Sequence, residues 1–183
     1  MGVVDFRLEA FRETHHHHRA MNALLGFQKE TAKPNIFTFR RSDGSTIWTK
    51  LKSLPVEHDL AHYAVEKTLQ FKEAFYGLLD QGFTPGDFEL PRDKRPQALI
   101  PANLPVEAHQ AEFIVGLLQT EWISGEDPHF VSTLKEALDA KGIPFPDRLT
   151  DDQLRKIRET YGELVYQWNT LKSGERLDLP FNP

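Results

Sequence analysis

Leu154, Ile157, Tyr161, Leu164, Val165, Trp168 and Leu171 recur at steps of three and four, the spacing that lines side chains along one face of an α-helix. A helix with so continuous an apolar stripe is stable only where the stripe is covered, so the chain must build a second layer against it. The start of this helix is legible too. Thr150-Asp151-Asp152-Gln153 has the form of a capping box, with acidic residues in the positive first turn.

Three further segments have the same period. Val106 to Ile123 predicts a helix with Ala111, Ile114, Val115, Leu118 and Trp122 on one face. Asp127-Pro128 opens another, with Phe130, Val131, Leu134 and Leu138 as core positions and a stop at Gly142. Ser53-Leu54-Pro55 opens the longest, expected from Val56 to Leu79 and ended by Gly82. Asn35 to Arg41 and Thr46 to Leu51 are instead rich in aromatic and β-branched residues and flank Asp43-Gly44, a hairpin signal. Ile36, Phe39 and Trp48 are expected to cover a neighbouring helix. Leu177, Leu179 and Phe181 alternate as an edge strand or docked arm would. Residues 83 to 105 hold five prolines and read as a long ordered loop over the surface. The expected fold class is mainly α (α+β): a bundle of about four helices with a small antiparallel hairpin or sheet near the N-terminus.

Residues 1–20 stand apart. His15 to His18 followed by Arg19-Ala20-Met21 read as vector sequence or an upstream start, with Met21 the natural first residue; a native metal-binding tract is the alternative. Residues 21–183 then form one globular domain, a length that buries a substantial core. A net charge of −5 and the lack of any basic run longer than Arg40-Arg41 argue against nucleic acid. No stretch is long and apolar enough to span a membrane. The absence of cysteine excludes disulfides, thiolate metal sites and thiol catalysis, and with no export signal it points to the cytoplasm. The expected partner is a small molecule or another protein, and a homo-oligomer is compatible with the sequence.

Outside the N-terminal run the histidines are His58, His62, His109 and His129. Two of them fall in His58-Asp59-Leu60-Ala61-His62, four residues apart on one predicted helix, so both imidazoles share a face and can share a metal ion. At roughly 100° per residue, His58, His62, Glu66 and Glu73 form a stripe away from the apolar side of Leu60, Ala61, Ala64, Phe71 and Phe75. His58 lies where the positive helix end favours a neutral ring, the form a metal needs. Glu66 is about 12 Å along the axis from His58, too far for one ion to take both with His62 between them. The third ligand is therefore expected from another helix, where His109 and Glu112 form an i, i+3 pair; Glu73 and Glu121 are weaker candidates. Asp59 and Glu66 remain as general base or as carboxylates that hold the rings. His129, beside Asp127-Pro128, reads as a first-turn residue. The ordinary alternative is a solvated face whose His and Glu interact at i, i+4.

H-D-x-x-H resembles the H-E-x-x-H of zinc peptidases with Asp for Glu. The shorter side chain would fall short of a zinc-bound water by about 1.5 Å, a displacement that costs roughly a hundredfold in rate, and no third-ligand motif follows. The longer string His58 to Glu66, preceded by Arg41-Ser42-Asp43-Gly44-Ser45-Thr46 and followed by Phe75-Tyr76-Gly77-Leu78-Leu79, resembles an uncharacterised family of small bacterial proteins with an H-D-L-x-H-Y-x-V-E helix motif. The resemblance reaches Trp168, Leu171, Gly174-Glu175, Leu177 and Leu179-Pro180-Phe181. It implies a bacterial cytosolic protein and no particular chemistry. Two functional readings follow: a metal-binding protein, as a metal-dependent hydrolase using zinc, nickel or iron, or a non-catalytic interaction module without metal.

Overall fold

The computed structural model describes residues 21–182, so the reading of residues 1–20 as a leader lies outside the described residues. A four-stranded antiparallel sheet packs on one face against a group of helices. The strands are β1 (Ala23–Gln28), β2 (Ile36–Arg40), β3 (Thr46–Lys50) and β4 (Arg176–Phe181), in the order β3-β2-β1-β4. The hairpin forms as expected, with Phe37 opposite Thr49 and Phe39 opposite Ile47. The C-terminal segment is an edge strand, paired to β1 with Leu25 opposite Leu179. The helices are α1 (Val56–Leu69), α2 (Phe75–Asp80), α3 (Pro85–Glu89), α4 (Val106–Ser124), α5 (Phe130–Asp139) and α6 (Asp151–Thr170). The protein is thus of mixed α+β class.

Phe27, Phe37, Phe39, Leu25 and Phe181 point from the sheet into one contiguous core with α1, α4, α5 and α6. On α6 the stripe from Leu154 to Trp168 is buried as its spacing requires, and Thr150 caps the helix by accepting the Gln153 N–H. On β2 the alternation selects Phe37 and Phe39 for the core, so Ile36 is not Phe39's neighbour on that face. Trp48 is 64% exposed on the opposite face, and Trp122 lies half out of α4 with its ring edge-on to Tyr161. Neither is a core residue.

The longest expected helix is two helices. At Gln70 the backbone turns left-handed (φ 53°), the Phe71 N–H reaches the Glu66 carbonyl, and the Gln70 N–H reaches that of Lys67. This is the double hydrogen bond that ends helices, formed here without glycine. Arg148 donates to the Leu69 and Gln70 carbonyls and satisfies the helix end. The chain then folds back so tightly that a Cβ on Gly77 would collide with the Lys72 carbonyl oxygen.

Helix α2 is held at both ends by buried charges. The Glu66 carboxylate accepts the Tyr76 N–H of its first turn at 2.9 Å. Arg41 donates Nε to the Leu79 carbonyl at 2.7 Å and its terminal nitrogen to those of Gly82 and Phe83. Both signs match the dipole of the helix. The segment from 83 to 105, expected as an ordered loop, holds short helical turns. Pro85 sits in the first turn of α3, and Thr84 and Asp87 exchange the reciprocal bonds of a capping box.

Candidate metal centre

Helix α1 is covered on nearly every side, by the sheet, α6 and α4. The stripe expected to face away from the core is therefore enclosed. His62 is 4% exposed and Glu66 is wholly buried. Glu73 falls in the turn between α1 and α2, where its N–H donates to Glu107, and takes no part.

His58 and His62 stack edge to face with ring centroids 4.9 Å apart. Each ring is held through Nδ1. His58 Nδ1 meets Gln119 Oε1 at 3.0 Å, and His62 Nδ1 meets Glu66 Oε1 at 3.0 Å. A ring that donates Nδ1–H to an acceptor keeps its lone pair on Nε2. From α4, Glu112 Oε1 approaches His62 Nε2 at 3.3 Å. One ligand atom from each of His58, His62 and Glu112 lies within 4.8 Å of the other two, so the three could hold a metal ion together. His109, one turn before Glu112, is outside this group.

The charges are coupled. Burial works against an imidazolium at His62, but hydrogen bonds and charge from Glu112 and Glu66 outweigh it and raise the ring to about 10. Burial raises Glu66, against the lowering pull of His62 and of the backbone N–H groups of Tyr76 and Phe75. Burial and then the like charge of His62 lower His58. The direction matches a neutral ring, although the cause is not the helix end. Burial would raise Glu112, but its bond to His62 and the nearby imidazoles bring it below the usual range.

The sequence candidates divide cleanly by place. Glu66 stands behind His62 and ties the ring to α2. Asp59 borders a cleft in front of the histidines, where burial pushes its carboxyl up to about 7. Glu121 is engaged by Arg158 and by the Asp127 N–H. His129 precedes α5, its N–H on Asp127. Sequence reading passed over Gln119. Its place seven residues after Glu112, two turns along the same helix face, was the available signal. No family model, curated protein or solved structure matches the chain.

Proposed function

We propose that the protein binds one divalent transition-metal ion through His58, His62 and Glu112 and uses it for hydrolysis. The observation that carries this reading is the arrangement behind the rings. Both Nδ1 atoms have acceptors, which leaves both Nε2 atoms for an ion once His62 gives up its proton, and metal-bound histidines are held in this way. Two imidazoles and one carboxylate suit zinc with a fourth position open to water, and are also compatible with nickel or iron(II). The cleft gives that position access to a substrate. A bound ion would supply Lewis acidity, and Asp59, on the cleft wall, is the carboxylate left to act as general base, at the roughly hundredfold cost in rate that its shorter side chain carries. Glu66 positions His62. The resemblance noted above and the lack of cysteine support a bacterial cytosolic setting.

The exposed pair Trp122 and Ile123, the latter 86% accessible, favours the second reading, an interaction module in which His62 is an imidazolium between two carboxylates. One experiment separates the two. In the full chain with His15, His16, His17 and His18 replaced by alanine, calorimetry with zinc chloride should show one equivalent bound and His62→Ala should abolish it. No binding at micromolar zinc leaves the interaction module as the better account.

A further inference from the structure

The cleft in front of the histidines has a volume of about 220 Å³. An apolar cavity of about 150 Å³ takes up benzene, so this space suits one ring and a few more heavy atoms. It is small for a ligand site and leaves little room for several side chains of a polymer. Its inner wall is aromatic. Phe75 stands 5.9 Å from the His62 ring, and Phe88 from α3 meets Phe75 edge-on at 5.0 Å. Leu51, Leu54 and Pro85 continue the apolar lining. The rim is charged, with Lys50 at the end of β3, Lys52 just after it and Glu89 on α3, all three exposed. A divalent ion and two lysines, set against Glu112, Glu89 and Asp59, leave the cleft suited to an anion.

We infer that the cleft recognises one aromatic or branched aliphatic group carried by a small carboxylic acid, and that the substrates are small amides or esters of such acids. This rests on the metal reading above. In the reaction, the acyl C–N or C–O bond breaks, the oxygen of water forms a bond to the acyl carbon, one water proton leaves with the amine or alcohol, and the other passes to the amine or to solvent as the acid ionises. The product is the carboxylate, with its apolar group against the Phe75 and Phe88 wall and its charge toward the ion and the lysine rim. Phe88 and Leu54 determine specificity in this scheme and bind no metal.

The probe is the product anion. The full chain with His15, His16, His17 and His18 replaced by alanine is first titrated with zinc, then zinc-loaded protein is titrated with 3-phenylpropanoate, acetate or 3-phenylpropylammonium. 3-Phenylpropanoate should bind at least about tenfold more tightly than acetate, the ratio expected when one aromatic group leaves water. The ammonium compound should not bind. Phe88→Ala should remove the advantage over acetate while zinc affinity is unchanged. Leu54→Asp, at an exposed position that does not threaten the fold, should weaken 3-phenylpropanoate and spare acetate in comparison. Absence of zinc uptake overturns the metal reading and this one together. Zinc uptake with no preference for the aromatic acid, or a preference that survives both substitutions, overturns this one alone.

Discussion

Glu66→Gln changes one atom's chemistry at a wholly buried position. The wild-type carboxylate offers two acceptors, one to the Tyr76 N–H and one to His62 Nδ1. Glutamine has one oxygen. If that oxygen keeps the Tyr76 N–H, the amide NH2 faces His62 Nδ1, and the ring must move its proton to Nε2, the nitrogen that faces Glu112. A metal needs the lone pair there. Restoring it means opposing two donors or leaving a buried N–H unpaired, at a cost of about 1 to 3 kcal/mol. At about 1.36 kcal/mol per factor of ten, zinc affinity should fall roughly 5- to 150-fold. Competition against a chromophoric chelator at pH 8 measures it, with circular dichroism to check that the near-isosteric variant is folded. An affinity within twofold of wild type would refute the coupling of Glu66 to the ion.

Protons and metal compete for His62, so zinc binding should release close to one proton at pH 7.5, and affinity should rise with pH toward about 10; calorimetry in two buffers of different ionisation enthalpy counts the protons, and under 0.3 per ion contradicts it. Without metal the same shift works on stability. A folded pKa near 10 against an unfolded 6.5 means that the His62 contribution is fully present below pH 6.5 and lost as pH rises through about 10, which denaturant titrations across that range would reveal. Trp168→Ala should cost about 3 to 5 kcal/mol, since the ring is 4% exposed and packs under Lys29; a loss under 1 kcal/mol in urea unfolding would contradict its place in the core. Gln70→Gly should stabilise the protein by about 0.5 to 1 kcal/mol by relieving a left-handed side-chain residue, and a lower melting temperature would count against the turn as described.

Much of this architecture could be read from spacing. The α6 stripe, the hairpin about Asp43-Gly44 and the alternating tail are local patterns, and local patterns survive folding when packing agrees with them. The misses share one cause. Ala23–Gln28 became a strand between β2 and β4, and its outer face carries Leu24 and a glycine covered by Arg176, so the polar alternation that would announce it is missing. Lys67 to Phe75 has no glycine or proline, so nothing local stops a helix; the break is made by Arg148 and by Glu66 reaching the start of α2. At the site, the two histidines and a third group from a second helix, His109 or Glu112, followed from period and charge. That Glu112 and not His109 would meet them depends on how α4 is rotated against α1, a property of two helices at once.

The pairing of β1 with β4 has a consequence for synthesis. These strands, more than a hundred positions apart in sequence, are hydrogen-bonded neighbours from Ala23–Phe181 to Gln28–Arg176. A nascent chain that has already exposed β1, β2 and β3 must carry β1 with one edge unpaired through the translation of every helix. At about 5 to 20 residues per second this interval lasts for seconds. An open strand edge with Leu25 and Phe27 beside it is a docking point for other nascent chains on the same message. Arg176 then closes it from both sides of the sheet's logic: its backbone completes the ladder while its guanidinium crosses over Gly26, where no side chain stands, to reach Thr38. Chains cut short before β4 should therefore collect in aggregates, and a chaperone that shields strand edges would be needed from the emergence of β1 until β4 pairs with it.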